Sequence, residues 1–178
     1  MHWLDPFILV LLIYAPAFIA NGTPVVIKNV PFMRSWTWPI WPSVLGANKT
    51  WRGLVFGVLS AAFAGIVLLF VAPLDPAFSV FVEGFSPAEF VGFCSWLGFA
   101  ALFGDMAESA VKRRMGHPPG ARWMPWDGID YVLAALVLAL PWYVPTTSQA
   151  LFILLLGPVL SGIFNMISFL MGWKKVPY

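Results

Sequence analysis

The chain has 178 residues, 60% of them hydrophobic, 17% aromatic and only 10% charged. A soluble domain carries about 25% charged residues, so ten basic and eight acidic side chains cannot give a chain of this length a water-compatible surface, and soluble and disordered classes are both excluded. One cysteine excludes a disulfide scaffold or a cysteine zinc cluster, and a net charge of +2 gives no ground for expecting a nucleic-acid partner.

An integral membrane protein remains, and its spans are legible in chain order. Residues 4–20 predict a first membrane helix. Ala15-Pro16-Ala17 mimics a signal-cleavage site, but no Lys or Arg precedes the apolar run, so a retained span is expected. The loop 21–52 carries Pro24, Pro31, Pro39 and Pro42, which break any long helix, and Trp36, Trp38 and Trp41, which suit a segment lying in the membrane interface. It ends in Gly46-Ala47-Asn48-Lys49-Thr50-Trp51-Arg52-Gly53. Glycines flanking two cations can hold a phosphate through backbone N–H groups; the plainer alternative anchors Lys49 and Arg52 at lipid headgroups.

Residues 53–72 predict a second span, closed by Pro73, with Gly53 and Gly57 spaced for helix packing. Residues 88–104 predict a third, in which Cys94 reads as a small apolar filler. The 43 uncharged residues 131–173 would form a helix of about 65 Å, roughly twice a bilayer core. They must break, at Pro141, Pro145 and the polar run Thr146-Thr147-Ser148-Gln149, giving spans near 128–144 and 149–171. In the fifth span Ser161, Asn165 and Ser168 share a face suited to helix–helix hydrogen bonds, and Gly157-Pro158 marks a kink. The hydropathic signal favours helices over a barrel, whose strands would alternate in polarity.

Five spans put all ten Lys and Arg on one side, between spans one and two, between three and four, and after five. The positive-inside rule makes that side cytoplasmic, with the N-terminus outside and the C-terminus inside. Trp3, Trp51, Trp142 and Trp173 near span ends fit an aromatic belt.

The stretch 105–130 concentrates the charge. Asp105, Glu108, Ser109 and Lys112 follow helical spacing and share one face, with Arg113 on its shoulder and Arg114 pointing away. Asp127 and Asp130, three apart after Pro125, are expected on one face at the start of span four. Hard oxygen donors of this kind suit magnesium, which binds through one or two carboxylates plus substrate phosphates, and Lys and Arg beside it suit the remaining phosphate oxygens. Glu108 with Lys112 also reads as an ordinary i, i+4 pair. Acids at membrane level are costly and mark ion or substrate sites, so Asp105, Asp127 and Asp130 are the favoured site residues. His117 reads as a surface residue of the loop.

These residues carry a family resemblance. Gly104-Asp105-Met106-Ala107-Glu108-Ser109-Ala110-Val111-Lys112-Arg113-Arg114 resembles the G-D-x-x-x-S-x-x-K-R core of the lipid cytidylyltransferases that form CDP-diacylglycerol and, in archaea, CDP-archaeol. Asp127-Gly128-Ile129-Asp130 resembles the second half of that signature, and Gly46–Gly53 and Asn21-Gly22-Thr23-Pro24 resemble segments of the archaeal type, so the likeness spans the whole chain, 1–178, as a single transmembrane cytidylyltransferase domain. The loop Met115–Arg122 departs from the bacterial pattern, as does Gly128, where relatives carry Arg or Gln.

The resemblance implies an all-α membrane enzyme, in the cell membrane with its active site on the cytoplasmic face, that joins CTP to an unsaturated archaeal ether-lipid phosphate and releases pyrophosphate. It implies Mg2+ on Asp105, Asp127 and Asp130, a triphosphate held by Lys112 and Arg113 with Ser109 bonding a phosphate or water, and the lipid phosphate or pyrophosphate held by Lys49 and Arg52. Asn21, Thr23 and Asn48 become candidates for nucleotide contacts. Phosphatidic acid is the alternative lipid. A small ion-coupled transporter using the same acids is the alternative of another class, against which stand the absence of a repeat and the position of the acids at helix ends. Oligomeric state is left open.

Overall fold

The computed structural model describes residues 5–118, 123, 126–174 and 176. Trp3, Arg122 and Pro125, named above, and Lys175, one of the basic residues after span five, lie outside the described residues. Helix α1 is Asp5–Ile27, α2 the short Pro42–Leu45, α3 Trp51–Val71, α4 Pro76–Glu83, α5 Pro87–Arg114, α6 Asp130–Ala139 and α7 Thr147–Leu170. Outside the helices, the ladder reduces to one isolated antiparallel bridge, Pro39 with Thr50, among the described residues.

Caps written in the sequence set the helix starts. Thr50 accepts a bond from the Gly53 amide at the head of α3. Asp75 caps α4 through the Phe78 amide. Ser86 with Glu89, and Thr146 with Gln149, form reciprocal capping boxes on α5 and α7. The polar run expected to divide 131–173 is therefore a helix start as well as a break.

Helices α1, α3 with its following turn, α5 and α7 are long and apolar enough to cross a membrane. The expected crossing at 128–144 is the shorter α6. Its winding persists to Tyr143, whose amide bonds the Ala139 carbonyl, but residues 130–143 span only about 20 Å at 1.5 Å per residue. Gly128, in the left-handed region at φ +92°, breaks the winding before Asp130, and Pro141 removes an amide near the other end. Asp127 consequently lies in the turn ahead of α6, not on its face as the spacing predicted. The first span is longer than the expected 4–20: α1 runs through Pro16 and Pro24, and the Thr23 hydroxyl bonds back to the Ile19 carbonyl at 2.8 Å, within the helix.

Small residues bring α1, α3 and α5 together. A Cβ on Gly57 would stand 3.2 Å from the Ala20 carbonyl, Ala20 and Ala61 are fully buried, and Cys94 packs against Gly65 as a filler. At one end of the bundle an aromatic cluster closes the core, Phe78, Phe81 and Phe85 meeting Phe90, Phe93 and Tyr143. Helix directions follow from cross-contacts. Gln149 donates to the Pro6 carbonyl at 2.9 Å, so the starts of α1 and α7 meet, and the Trp96 indole donates to the Leu138 carbonyl at 2.9 Å, so α5 and α6 run antiparallel. The opposite end therefore gathers the ends of α1, α5 and α7 with the starts of α3 and α6. There lie the described basic residues Lys28, Arg34, Lys49, Arg52, Lys112, Arg113, Arg114 and Lys174.

Candidate active site

The site is built where α5 ends against the start of α6. Gly104 permits that approach: a Cβ there would stand 2.5 Å from the Asp130 carbonyl oxygen and 2.6 Å from the Ala134 Cβ. One residue on, Asp105 faces Asp130. Asp105, Glu108 and Asp130 each offer a carboxylate oxygen, and these oxygens all lie within 4.8 Å of one another. Gly128 completes the corner. Its amide donates to Asp130 Oδ1 at 2.9 Å, and its left-handed backbone would strain any L side chain, which is a local reason for glycine here.

Cations interleave with the acids. Lys49 Nζ reaches Asp105 Oδ2 at 2.5 Å. The bridge to the Trp-rich loop fixes Lys49 there, with Ile40 N–H bonding the Lys49 carbonyl at 2.8 Å and Trp51 N–H the Trp38 carbonyl at 3.0 Å. Lys112 Nζ sits 2.8 Å from Glu108 Oε1, both side chains almost fully buried, and also donates to Asp127 Oδ1. The other Asp127 oxygen accepts the Trp123 amide at 2.5 Å. Burial opposes the charge of Asp127, but the bonds it accepts, among them those from Lys112 and the Trp123 amide, hold its carboxyl below the ordinary aspartate value.

Arg113 is half-buried, and its Nε and Nη1 are buried with no hydrogen-bond partner among the described residues. A guanidinium fork in that state is a ready receptor for an anion. Ser109 is buried one turn beyond Asp105, while Arg114 is exposed as its position on the helix predicted. At the same end Lys174 bonds Asn165 at 2.9 Å, and burial together with nearby Lys28 lowers its ammonium pKa. Asn165 thus serves the chain's own C-terminal turn and not a neighbouring helix.

The structure brings together some of the expected site residues and not others. Asp105, Asp130, Lys49 and Lys112 meet. Asp127 stands beside them as the partner of Lys112, whereas Glu108, read from spacing as a surface pair, belongs to the acidic triad. Its i+3 offset from Asp105 carried the signal. Arg52 is buried and donates to the Met33 carbonyl at 2.5 Å, so part of its guanidinium fastens the 31–34 turn. The Thr23 hydroxyl is 2.7 Å from that of Ser60, joining α1 to α3. Asn21 is half-buried and Asn48 exposed. Among the described residues no hydrogen bond links Asn21, Thr23 or Asn48 to the acids. The His117 ring lies 6.3 Å from that of Trp123.

Comparison with known proteins gives a consistent picture. The family model described as CarS-like, CDP-archaeol synthase, matches residues 4–178. The CDP-archaeol synthase of Thermococcus kodakarensis is 32% identical over 179 residues, covering 100% of both chains. That of Pyrococcus horikoshii is 33% identical over 92% of each. A solved structure of an intramembrane enzyme for archaeal membrane lipids biosynthesis matches with a TM-score of 0.66 and 29% identity, over 87% of this chain and 91% of that one.

Proposed function

The chain belongs to the CDP-archaeol synthase family of membrane lipid biosynthesis, and on that premise we propose that it transfers the cytidylyl group of CTP to an archaeal ether-lipid phosphate at the charged end of the bundle, acting from the cytoplasmic face of the cell membrane. The observation that carries this reading is the acidic triad Asp105, Glu108 and Asp130, with oxygens within 4.8 Å of one another and Lys49 and Lys112 paired with two of its members.

The reaction joins a lipid-phosphate oxygen to the α-phosphorus of CTP and releases pyrophosphate. The nucleophile is already anionic near neutral pH, so no strong base is required. Catalysis reduces to alignment and to neutralising charge at the α-phosphate. The three carboxylates are hard oxygen donors, of which one or two would hold Mg2+, and that ion, when bound, would supply charge neutralisation at the phosphates. Asp127 keeps Lys112 charged and oriented. Lys112 and Arg113 grip the triphosphate, Arg113 through Nε and Nη1, the two guanidinium nitrogens without a partner among the described residues. Ser109 bonds a phosphate oxygen or a water. Lys49, presented by the Trp-rich loop, neutralises the lipid phosphate or the departing pyrophosphate, and Arg52 secures the loop that presents it. Every membrane helix contributes an end to this site or packs against one that does, which supports residues 1–178 acting as one catalytic unit.

Purified protein given labelled CTP, Mg2+ and a panel of archaeal ether-lipid phosphates and phosphatidic acids tests the reading. Metal-dependent CDP-lipid formation, preferring the ether lipid, is the expected result; no CDP-lipid from any member overturns it.

A further inference from the structure

The chain turns back on itself after α7. Gly172, at φ +71°, takes the left-handed conformation that ends helices, and the amides of Trp173 and Lys174 both bond the Ser168 carbonyl, at 2.8 and 3.2 Å. The reversal lays Lys174 along the last turns of α7, where its ammonium donates to Asn165 Oδ1 at 2.9 Å. Asn165 is one turn beyond Ser161, and Ser161 faces the turn that opens α6: a Cβ on Gly128 would stand 3.5 Å from the Ser161 Cβ and 3.1 Å from the Pro158 Cα. Asp127 immediately precedes Gly128, and Lys174 lies in its field and in that of Lys28, just past α1. A lysine that only anchors a helix end extends its ammonium into water and headgroups. Lys174 is instead half-buried and held back toward the site.

We infer that Lys174 binds the terminal phosphates of the nucleotide, the pair that leaves as pyrophosphate. The inference rests on the reaction proposed above and adds to it a cation from the far end of the chain. Asp127 is the link. It accepts from Lys112, which grips the triphosphate, and it attracts Lys174, so Lys174 extends the row of cations on the nucleotide's side. Lys49 stands elsewhere, against Asp105. Lys28 and Lys174 are like charges in one another's field, and an anion shared between them relieves that repulsion and the cost of half-burying an ammonium. An ammonium has three donors, and Asn165, by taking one, fixes the direction of the group. Lys174 also follows the last membrane helix, on the water side of the charged end, where the phosphates farthest from the lipid belong. The bond that breaks joins the α-phosphorus to the oxygen bridging the β-phosphate, and its electron pair leaves with pyrophosphate. A cation at the β- and γ-phosphates therefore steadies both the bound triphosphate and the leaving group.

Calorimetry on the full chain in detergent with Mg2+ tests this, with CTP, pyrophosphate and CMP as probes. Lys174→Gln should weaken CTP and pyrophosphate roughly tenfold, the loss of one charge-assisted hydrogen bond, and leave CMP affinity and the KM for the lipid phosphate unchanged. Lys174→Arg should recover most of the loss, because it restores the charge. Asn165→Ala keeps the lysine and removes an acceptor that aims it, so it should show a smaller loss of the same preference for CTP over CMP. Arg114→Gln takes one positive charge from an exposed position at the same end and should leave that preference intact, which separates bulk charge from a local contact. If Lys174→Gln and Asn165→Ala weaken CMP as much as CTP, or lower the melting temperature while CTP binding holds, Lys174 only fastens the terminal turn and the inference falls. A loss confined to the lipid KM assigns the ammonium to the lipid phosphate and overturns it equally. Wild-type protein that binds CTP and pyrophosphate through Lys174 yet forms no CDP-lipid would keep this site and overturn the reaction instead.

Discussion

Asp130 and Arg114 belong to the same charged end but face different work. Asp130 is half-buried between α5 and Gly128 and shares the triad, whereas Arg114 is exposed. Asp130→Asn should therefore lower turnover by about 10²–10³, the scale of losing one preorganised electrostatic group, with the protein still folded in detergent. Arg114→Gln should change turnover by no more than about twofold, as a surface substitution; equal losses would count against the shared-face geometry. A second pair separates cations. Lys112→Ala should weaken CTP binding measured by calorimetry without lipid. Arg52→Ala should spare it and instead lower the melting temperature, because its charged bond to the Met33 carbonyl is worth about 1.5–3 kcal/mol. Loss of CTP binding in Arg52→Ala would assign Arg52 to the nucleotide. Asp127 makes a pH prediction. Its folded pKa lies below the ordinary value of about 3.9. Its contribution to stability is therefore complete above that value and lost as pH falls through the folded one. Asp127→Asn should melt below wild type near pH 7, and thermal scans at descending pH should show the gap closing only below about pH 4. Spacing alone made Asp105, Lys112 and Asp130 legible. It hid the different placing of Glu108 and Asp127, because both acids reach Lys112 and only the turn at Gly128 decides which carboxylate stands with Asp105 and Asp130.

The element scale explains that turn. Helix existence was readable wherever an uncharged run met a cap: Thr50, Ser86 and Thr146 each sit at an observed N-cap. Two boundaries were not readable. Pro24 looked like a boundary, yet α1 accommodates it because a proline near a helix end forfeits a single internal bond and packing against α3 compensates, with Gly53 in contact with the Pro24 ring. The start of α6 was less legible than its composition: a positive φ at Gly128 is a property of the fold around Asp130 and Pro158 that hydropathy does not register. The close seating of α6 on α5 rests on Gly104, which yields a comparison between two glycines. Gly104→Ala drives a methyl against a backbone carbonyl at 2.5 Å. It should cost about 1–3 kcal/mol of stability and, by moving Asp130 away from Asp105, reduce activity further than the stability loss requires. Gly162→Ala, in α7 with nothing within 4 Å of the new methyl, should stabilise by about 0.5–1 kcal/mol. Thermal unfolding of both variants checks the sign, and wild-type activity in Gly104→Ala would mean that the α5–α6 approach is not what sets the triad.

At the scale of the molecule, charge and aromatic side chains divide between two ends. One end carries the eight described basic residues and the acidic triad; the other carries Asp75, Glu83, Glu89 and the phenylalanine cluster that plugs it. Such an asymmetry orients a membrane protein, since Lys and Arg in short loops stay on the cytoplasmic side, and it sets the substrate supply as well. A triphosphate nucleotide cannot cross a bilayer unaided, so under the proposed reaction the charged end must face the compartment that contains CTP. The prediction that follows concerns two positions at opposite ends. In a Cys94→Ala background, Met115→Cys lies just beyond α5 at the basic end and Glu83→Cys lies at the end of α4, both on exposed sites. In intact cells an impermeant maleimide should modify the residue-83 cysteine, and the residue-115 cysteine should react only after permeabilisation. Cys94 itself is buried, so its removal should not perturb the reading. Labelling of both cysteines from outside would place the acidic triad on the external face, where CTP is absent, and the proposed use of cytosolic nucleotide would fall even with the fold intact. Labelling of only residue 115 from outside would invert the bundle and require the positive-inside argument to be abandoned for this chain.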